Sequence, residues 1–258
     1  MKKLNITLIQ SYLHWEDPVA NRRHFSEKIR SIEGKTDVIV LPEMFTTGFS
    51  MNAKALSEDT NGETLQWMLS EAKQKNAAIT GSLIIEEENK YYNRLFFVLP
   101  DGSYKTYNKR HTFTLAGEHK IYNSGTERTI IDYKGWKICP LICYDLRFPV
   151  WARNTSNYDI LLYVANWPNK RVAAWDALLK ARAIENMSYC VGVNRVGHDG
   201  NGHKYTGHSA VYDVLGEQLS TKDFEKEFIE TLVLNKEELI KHRKYLQFLN
   251  DKDDFTLI

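Results

Sequence analysis

Cysteine is scarce in this chain: 3 residues among 258, an odd number without the spacing of a disulfide framework. That scarcity argues against a small secreted domain stapled by disulfides and for a reducing, cytoplasmic setting. A charge excess of one sign is missing too. With 34 basic and 33 acidic residues the net charge is +1, so no strong field exists to recruit nucleic acid or an anionic membrane. A small neutral or anionic ligand is the expected partner. No apolar run reaches membrane-spanning length, and the basic start Met1-Lys2-Lys3-Leu4 leads into Asn5, Thr7, Gln10, Ser11, Glu16 and Asp17 rather than a signal-peptide core. No internal repeat, low-complexity segment or linker divides the chain. At 43% hydrophobic residues it can bury a full core, and one domain over residues 1–258 is expected, with a polar helix and tail from about residue 235.

What is present is periodic. Leu4 to Ile9 alternates as a half-buried strand does, Asp37 to Leu41 is a short β-branched strand, and Glu63 to Lys75 places Leu65, Met68, Leu69 and Ala72 at helical spacing. Pro18 to Ile32 also reads as helix. Strand patterns follow at Ala77 to Ile85, Tyr91 to Leu99 and Tyr104, then at Thr129 to Tyr133 and Trp136 to Ile142 around a Lys134-Gly135 turn. Further on come helix at Pro149 to Asn154, strand at Ile160 to Ala165, helix at Val172 to Met187 and strand at Tyr189 to Val193. Strands near Ser209 to Val214 and Phe228 to Leu234 precede the C-terminal helix. Helices alternate with strands in both halves, but hairpins interrupt them, which a purely parallel sheet would not need. Two mixed sheets packed face to face, with helices outside, accommodate both features.

The sequence is most informative around Cys143. The apolar run Lys137-Ile138-Cys139-Pro140-Leu141-Ile142 ends there and breaks into Tyr144-Asp145-Leu146-Arg147-Phe148-Pro149, a strand, a sharp turn and a helix start. At such a turn the N–H groups and positive dipole end of the next helix favour thiolate, so Cys143 is a candidate nucleophile. Cys139, inside the run, and Cys190, in Ser188-Tyr189-Cys190-Val191, read as small core residues. Two further polar residues stand at strand ends or beside the irregular stretch: Glu43 after Ile39-Val40-Leu41-Pro42, and Lys109 in Tyr107-Asn108-Lys109-Arg110-His111. Taken singly, each is a surface residue. If the strands aim their carboxyl ends one way, the three converge on a crevice.

Together the motifs Leu-Pro-Glu43-Met, Asn-Lys109-Arg-His and Ile-Cys143-Tyr-Asp-Leu-Arg-Phe-Pro resemble the nitrilase superfamily of carbon–nitrogen hydrolases. Met44 to Met51, Thr112 to His119, Ala165-Asn166-Trp167-Pro168 and Lys180 to Asn186 extend the resemblance to its bacterial omega-amidases, which cleave the terminal amide of 2-oxoglutaramate and related 2-oxo acid monoamides. The resemblance implies a four-layer α-β-β-α sandwich, a homodimer, and no metal or other cofactor. It also implies a Glu-Lys-Cys triad of Glu43, Lys109 and Cys143, with Glu118 as a second glutamate near it.

An amide is a poor electrophile, so its hydrolysis needs a polarisable nucleophile, a proton carrier and a holder for the oxyanion. Cys143, Glu43 and Lys109 suit those roles in that order, and the Tyr144 backbone N–H suits a second oxyanion donor. A substrate carboxylate calls for a cation, for which Arg147 and Arg195 are candidates. Arg147 could instead pair with Glu43 or Asp145. Trp167, Phe45 and Phe148 could wall the pocket or simply fill core. Competing chemistries are less well supported by the residues. A Cys-His mechanism would call for a papain-like signature that is absent, Cys139 and Cys143 lack a second metal-ligating pair, and His198, His203 and His208 sit in a Gly-rich loop. Nitrilase, carbamoylase and other aliphatic amidase activities stay open, as does a non-catalytic binding protein that kept the fold.

Overall fold

The computed structural model describes residues 2–221 and 225–256, so the last two residues of the expected tail lie outside them. Strands β1 (Lys3–Gln10), β2 (Val38–Val40) and β3 (Ala78–Glu87) run parallel. The first crossover is α1 (Pro18–Arg30), and the second holds α2 (Ala53–Leu56) and α3 (Glu63–Lys75). Strands β4 (Lys90–Val98) and β5 (Tyr104–Asn108) then add antiparallel to β3. A second sheet starts with the hairpin of β6 (Ile131–Tyr133) and β7 (Trp136–Ile142). After α4 (Pro149–Ala152) come β8 (Ile160–Val164), α5 (Val172–Asn186) and β9 (Tyr189–Val193), with β7, β8 and β9 parallel. The small hairpin β10 (Val196–His198) and β11 (Lys204–Thr206) stands apart. Strand β12 (Ala210–Tyr212) closes the second sheet against β9, while β13 (Phe228–Asn235) returns to pair antiparallel with β1, and α6 (Lys236–Leu246) follows.

The alternation of the strands decides the layers. On β1, β2 and β4, Leu4, Ile6, Leu8, Val38, Val40, Leu95 and Phe97 join the core shared with the second sheet. Their neighbours Ile9, Ile39, Phe96 and Val98 point the other way, onto Phe25 and Ile29 of α1 and Leu65, Met68 and Ala72 of α3. On the far side, Trp175, Leu179 and Ala183 of α5 cover the second sheet. This is the expected four-layer order, helices outside and two mixed sheets inside. Strand β8, Ile-Leu-Leu-Tyr-Val, has every residue buried, as a central parallel strand covered on both faces must.

Local signals set the boundaries. Asp17 caps α1 by accepting the Ala20 N–H, with Pro18 at the first helical position, where a missing N–H costs nothing. Asn76 and Met187 end α3 and α5 in the left-handed conformation. The β10–β11 hairpin was not expected from the sequence. Its strands are three residues long, and Gly197, at φ +88°, breaks the apolar alternation that would have marked them.

Candidate active site

Glu43, Lys109 and Cys143 each stand just past the carboxyl end of a strand, and the two sheets aim those ends at one crevice. Beyond β2 the Leu41 N–H still donates to the Thr80 carbonyl at 2.8 Å, which carries Pro42 and Glu43 into line. Met44 then turns through a left-handed φ of +42°, held by Ser82 Oγ accepting its N–H at 2.9 Å. Lys109 follows β5, its N–H donating to the Asn93 carbonyl at 2.9 Å. Cys143 follows β7 at φ +44°, a conformation that a branched or bulky side chain resists.

The side chains meet in a buried cluster. Lys109 Nζ donates to Glu43 Oε1 at 2.9 Å and to both oxygens of Glu118 at 3.0 Å. Glu43 and Glu118 are fully buried and Lys109 is 1% exposed. The Cys143 thiol lies close enough to Glu43 and Lys109 for the charge of each to bear on it. Asn166 donates its N–H to Glu43 Oε2 at 2.8 Å, and Glu118 accepts the Phe113 N–H at 2.5 Å. Burial works against a charged Lys109, but the charges of Glu118 and Glu43 outweigh it and raise its pKa, so the ammonium persists. Burial raises Glu118, and Lys109 pulls it back.

The resting state of Cys143 differs from the expectation of a helix-stabilised thiolate. Burial first, and then the negative charge of Glu43, push its pKa well up. The segment that follows is a single 3₁₀ turn, Cys143–Arg147, with α4 only four residues long beyond it, too short to supply the dipole of a long helix. The thiol therefore rests protonated, and among the charged groups around it Glu43 acts on it most strongly.

One buried carboxylate fixes the turn. Asp145 accepts the Ile142 N–H at 3.0 Å, the Tyr107 hydroxyl at 2.7 Å, and the N–H and ring Nδ1 of His111 at 2.9 and 2.8 Å. It ties the cysteine turn to the end of β5 and to the loop after Lys109. His111 is stacked on Phe148, ring centroids 3.7 Å apart, so His111 and Phe148 both serve this tie.

Cys143 and Lys109 open onto a cavity of about 340 Å³, in the range of small-ligand sites. Tyr144, Arg147 and Trp167 line it, and Arg147 lies over the Trp167 ring at 5.0 Å. No carboxylate pairs with Arg147 among the described residues; Glu43 and Asp145 have the other partners given above. Two candidates lie elsewhere. Phe45 is fully buried on the helix side of the first sheet, edge-on to Phe25 at 5.5 Å and so close over Gly81 that a Cβ there would stand 2.7 Å from its ring. The left-handed turn at Met44 sends it there, and Phe49 takes the place on the wall, its ring 5.1 Å from Lys109 Nζ. Arg195 is fully buried, its Nε donating to the Val196 carbonyl at 3.2 Å and its Nη2 to the Leu13 and His198 carbonyls at 3.4 and 2.9 Å, with Nη1 left without a hydrogen-bond partner and the guanidinium over the Tyr205 ring. It braces the β10–β11 hairpin rather than facing the cavity.

The sequence reading passed over several wall residues. Arg171, after Pro168, lines the cavity with its guanidinium 5.1 Å from the Phe113 ring and no carboxylate partner among the described residues. The β10–β11 hairpin adds Asp199, Asn201, His203 and Tyr205. Trp167 was the available signal for Arg171, since its ring N–H donates to the Arg171 carbonyl at 2.7 Å and one loop carries both. Of the loop histidines, His203 is on the wall and His208 bonds Asp176 at 3.0 Å, and no group of three metal-ligating side chains occurs among the described residues.

Comparison with known proteins agrees with this geometry. Residues 5–240 match the carbon-nitrogen hydrolase family. The chain is 47% identical to the omega-amidase YafV of Escherichia coli K12, covering 100% of both chains. It is 32% identical to the 2-oxoglutaramate amidase of Bacillus subtilis, over 84% of this chain and 86% of that one. The crystal structure of XC1258 from Xanthomonas campestris, a CN-hydrolase superfamily protein with an arsenic adduct in its active site, superposes with a TM-score of 0.97 at 41% identity over 100% of both chains. The chain thus belongs to the carbon–nitrogen hydrolase family, the hydrolases of non-peptide carbon–nitrogen bonds within the nitrilase superfamily.

Proposed function

We propose that the protein is an omega-amidase that hydrolyses the terminal amide of 2-oxo acid monoamides, 2-oxoglutaramate giving 2-oxoglutarate and ammonia, through a thioester on Cys143. The observation that carries the reading is the buried contact of Cys143, Glu43 and Lys109 at the base of a small cavity whose wall holds two guanidinium groups without carboxylate partners. Glu43 takes the thiol proton as sulfur attacks the amide carbon. The tetrahedral oxyanion is held by Lys109 Nζ and the Tyr144 N–H. Glu43 returns its proton to the amide nitrogen, the carbon–nitrogen bond breaks, and ammonia leaves. Water, deprotonated by Glu43, then cleaves the thioester and restores the thiol. Glu118 holds Lys109 from the other side. Arg147 and Arg171 receive the carboxylate of the substrate, at the end away from the amide. The reading extends to a homodimer in the cytoplasm that needs no metal, so light scattering should give twice the chain's mass and a chelator should leave turnover unchanged.

An ammonia-release panel of 2-oxoglutaramate, glutamine and an aliphatic nitrile tests the proposal. Preference for 2-oxoglutaramate is expected; turnover of the nitrile alone rejects it.

A further inference from the structure

Asn93, on β4, gives its side-chain amide to both carboxylates of the cluster and its main chain to Lys109. Its backbone carbonyl accepts the Lys109 backbone N–H at 2.9 Å, and its Nδ2 donates to Glu43 Oε1 at 2.8 Å and to Glu118 Oε1 at 3.4 Å. The same two oxygens also receive Lys109 Nζ, at 2.9 and 3.0 Å. Two carboxylate oxygens therefore face each other through a closed ring of N–H donors. Asn93 is 1% exposed, so its amide is a fixed part of the cluster.

We infer that Asn93 is a positioning residue that keeps a proton from being shared between Glu43 and Glu118, and by its shorter bond to Glu43 reserves that carboxylate as the base for the Cys143 thiol. Two buried carboxylates that converge on the same donors share a proton when those donors are lost, because neither bears an uncompensated charge at low cost. Lys109 Nζ reaches both oxygens but is only one of the two donors that each accepts. Without the Asn93 amide, a proton bridging Glu43 and Glu118 becomes the cheaper arrangement, and a protonated Glu43 cannot accept another from sulfur. Burial already raises Glu118, which makes it the natural co-holder of that proton. The other titratable groups around the pair are Lys109 after β5, Cys143 after β7, and Tyr122, whose hydroxyl is turned away to the Ser50 carbonyl at 2.6 Å. None of these can replace the missing donor.

The inference rests on the proposed Glu43–Lys109–Cys143 chemistry, and the experiment separates the two. The pH dependence of kcat is measured for the parent, Asn93→Ala and Asn93→Asp, with Cys143→Ala as the control for the nucleophile. Loss of a hydrogen bond to a charged group should move the acid limb of Asn93→Ala up by about one pH unit, with kcat down by up to about tenfold at pH values below the parent's limb and recovering as pH rises. KM should hold within about twofold. Asn93→Asp, which adds a third carboxylate, should move the limb further. An acid limb that stays in place in both variants overturns the inference, whether or not kcat falls, because a merely structural role lowers kcat without moving the limb. Turnover retained in Cys143→Ala would instead overturn the triad reading. Should neither Asn93 variant keep the parent's cooperative melt, infrared spectroscopy of Cys143→Ala at neutral pH decides: no buried carboxylic-acid band is expected, and a band that disappears on adding Glu118→Gln overturns the inference.

Discussion

Lys109 has two tasks in one ammonium group. It pairs with two buried carboxylates, and under the proposed mechanism it also binds the oxyanion of the attacked amide. One well-placed donor to an oxyanion is worth about 3 kcal/mol, so Lys109→Ala should lose roughly 100-fold or more in kcat. A change confined to KM would contradict the oxyanion role. Cys143→Ala should abolish ammonia release while the melting transition stays cooperative. On the cavity wall, Arg171→Gln should raise KM for 2-oxoglutaramate about tenfold and leave KM for an uncharged amide nearly unchanged, since under the proposed reading it loses a charge-assisted hydrogen bond to the substrate carboxylate. Equal effects on both substrates would place the carboxylate elsewhere. Glu43 and Cys143 stood out in the sequence because each follows an apolar run with a residue that such runs seldom admit, and Lys109 only through its motif and its order between them. Arg171 and Asn93 did not, because an arginine in a polar loop and an asparagine within a strand look like solvated residues until the chain is folded.

At the level of elements, the cysteine turn is the feature whose parts cooperate most closely. Asp145 accepts four hydrogen bonds and is fully buried, so its removal leaves donors from β5, from β7 and from the loop after Lys109 without an acceptor. Asp145→Ala should therefore cost about 3 kcal/mol of stability in denaturant unfolding and lower kcat at least about tenfold, since Cys143 and Lys109 are both located by these bonds. Stability lost with kcat unchanged would show that the turn is held by other contacts. Strands and helices with full periodicity, such as Glu63–Lys75, Trp136–Ile142 and Tyr189–Val193, are readable from the sequence to the residue. The β10–β11 hairpin is not. Its strands are too short to show a period, and what holds it over the cavity is Arg195, bonded to backbone carbonyls that lie close to it only after folding.

For the molecule as a whole, the two sheets are joined by their shared core and by a polar tie at its edge. Asp37, entering β2, accepts the N–H and Nδ2 of Asn5 at 2.9 and 2.8 Å and Lys134, from the β6–β7 turn of the other sheet, at 2.5 Å. Burial would raise the Asp37 pKa, but the hydrogen bonds from Lys134 and Asn5 outweigh it and hold it below its ordinary value. A lowered folded pKa means that its contribution is complete above the unfolded carboxyl pKa and is lost as pH falls through the folded one. Asp37→Ala should lose about 3 kcal/mol at neutral pH, and its stability should fall less steeply than the parent's below about pH 4. Parallel acid limbs in the two proteins would exclude Asp37 from acid unfolding. Among the described residues, no helix is long and apolar enough to cross a membrane.

The sequence by itself determined most of the strands and helices, and that a carboxylate, an ammonium and a thiol follow strands in the order of one hydrolase family. Those properties are local, set by side-chain period and by residues that break it. Only the tertiary structure decided how the groups work together. Protonation of Cys143, the charge on Lys109, the sharing of donors between Glu43 and Glu118, and the exchange of Phe45 for Phe49 and of Arg195 for Arg171 on the cavity wall all depend on burial and on neighbours distant in the chain. Both are properties of packing, and a linear order of residues does not contain them.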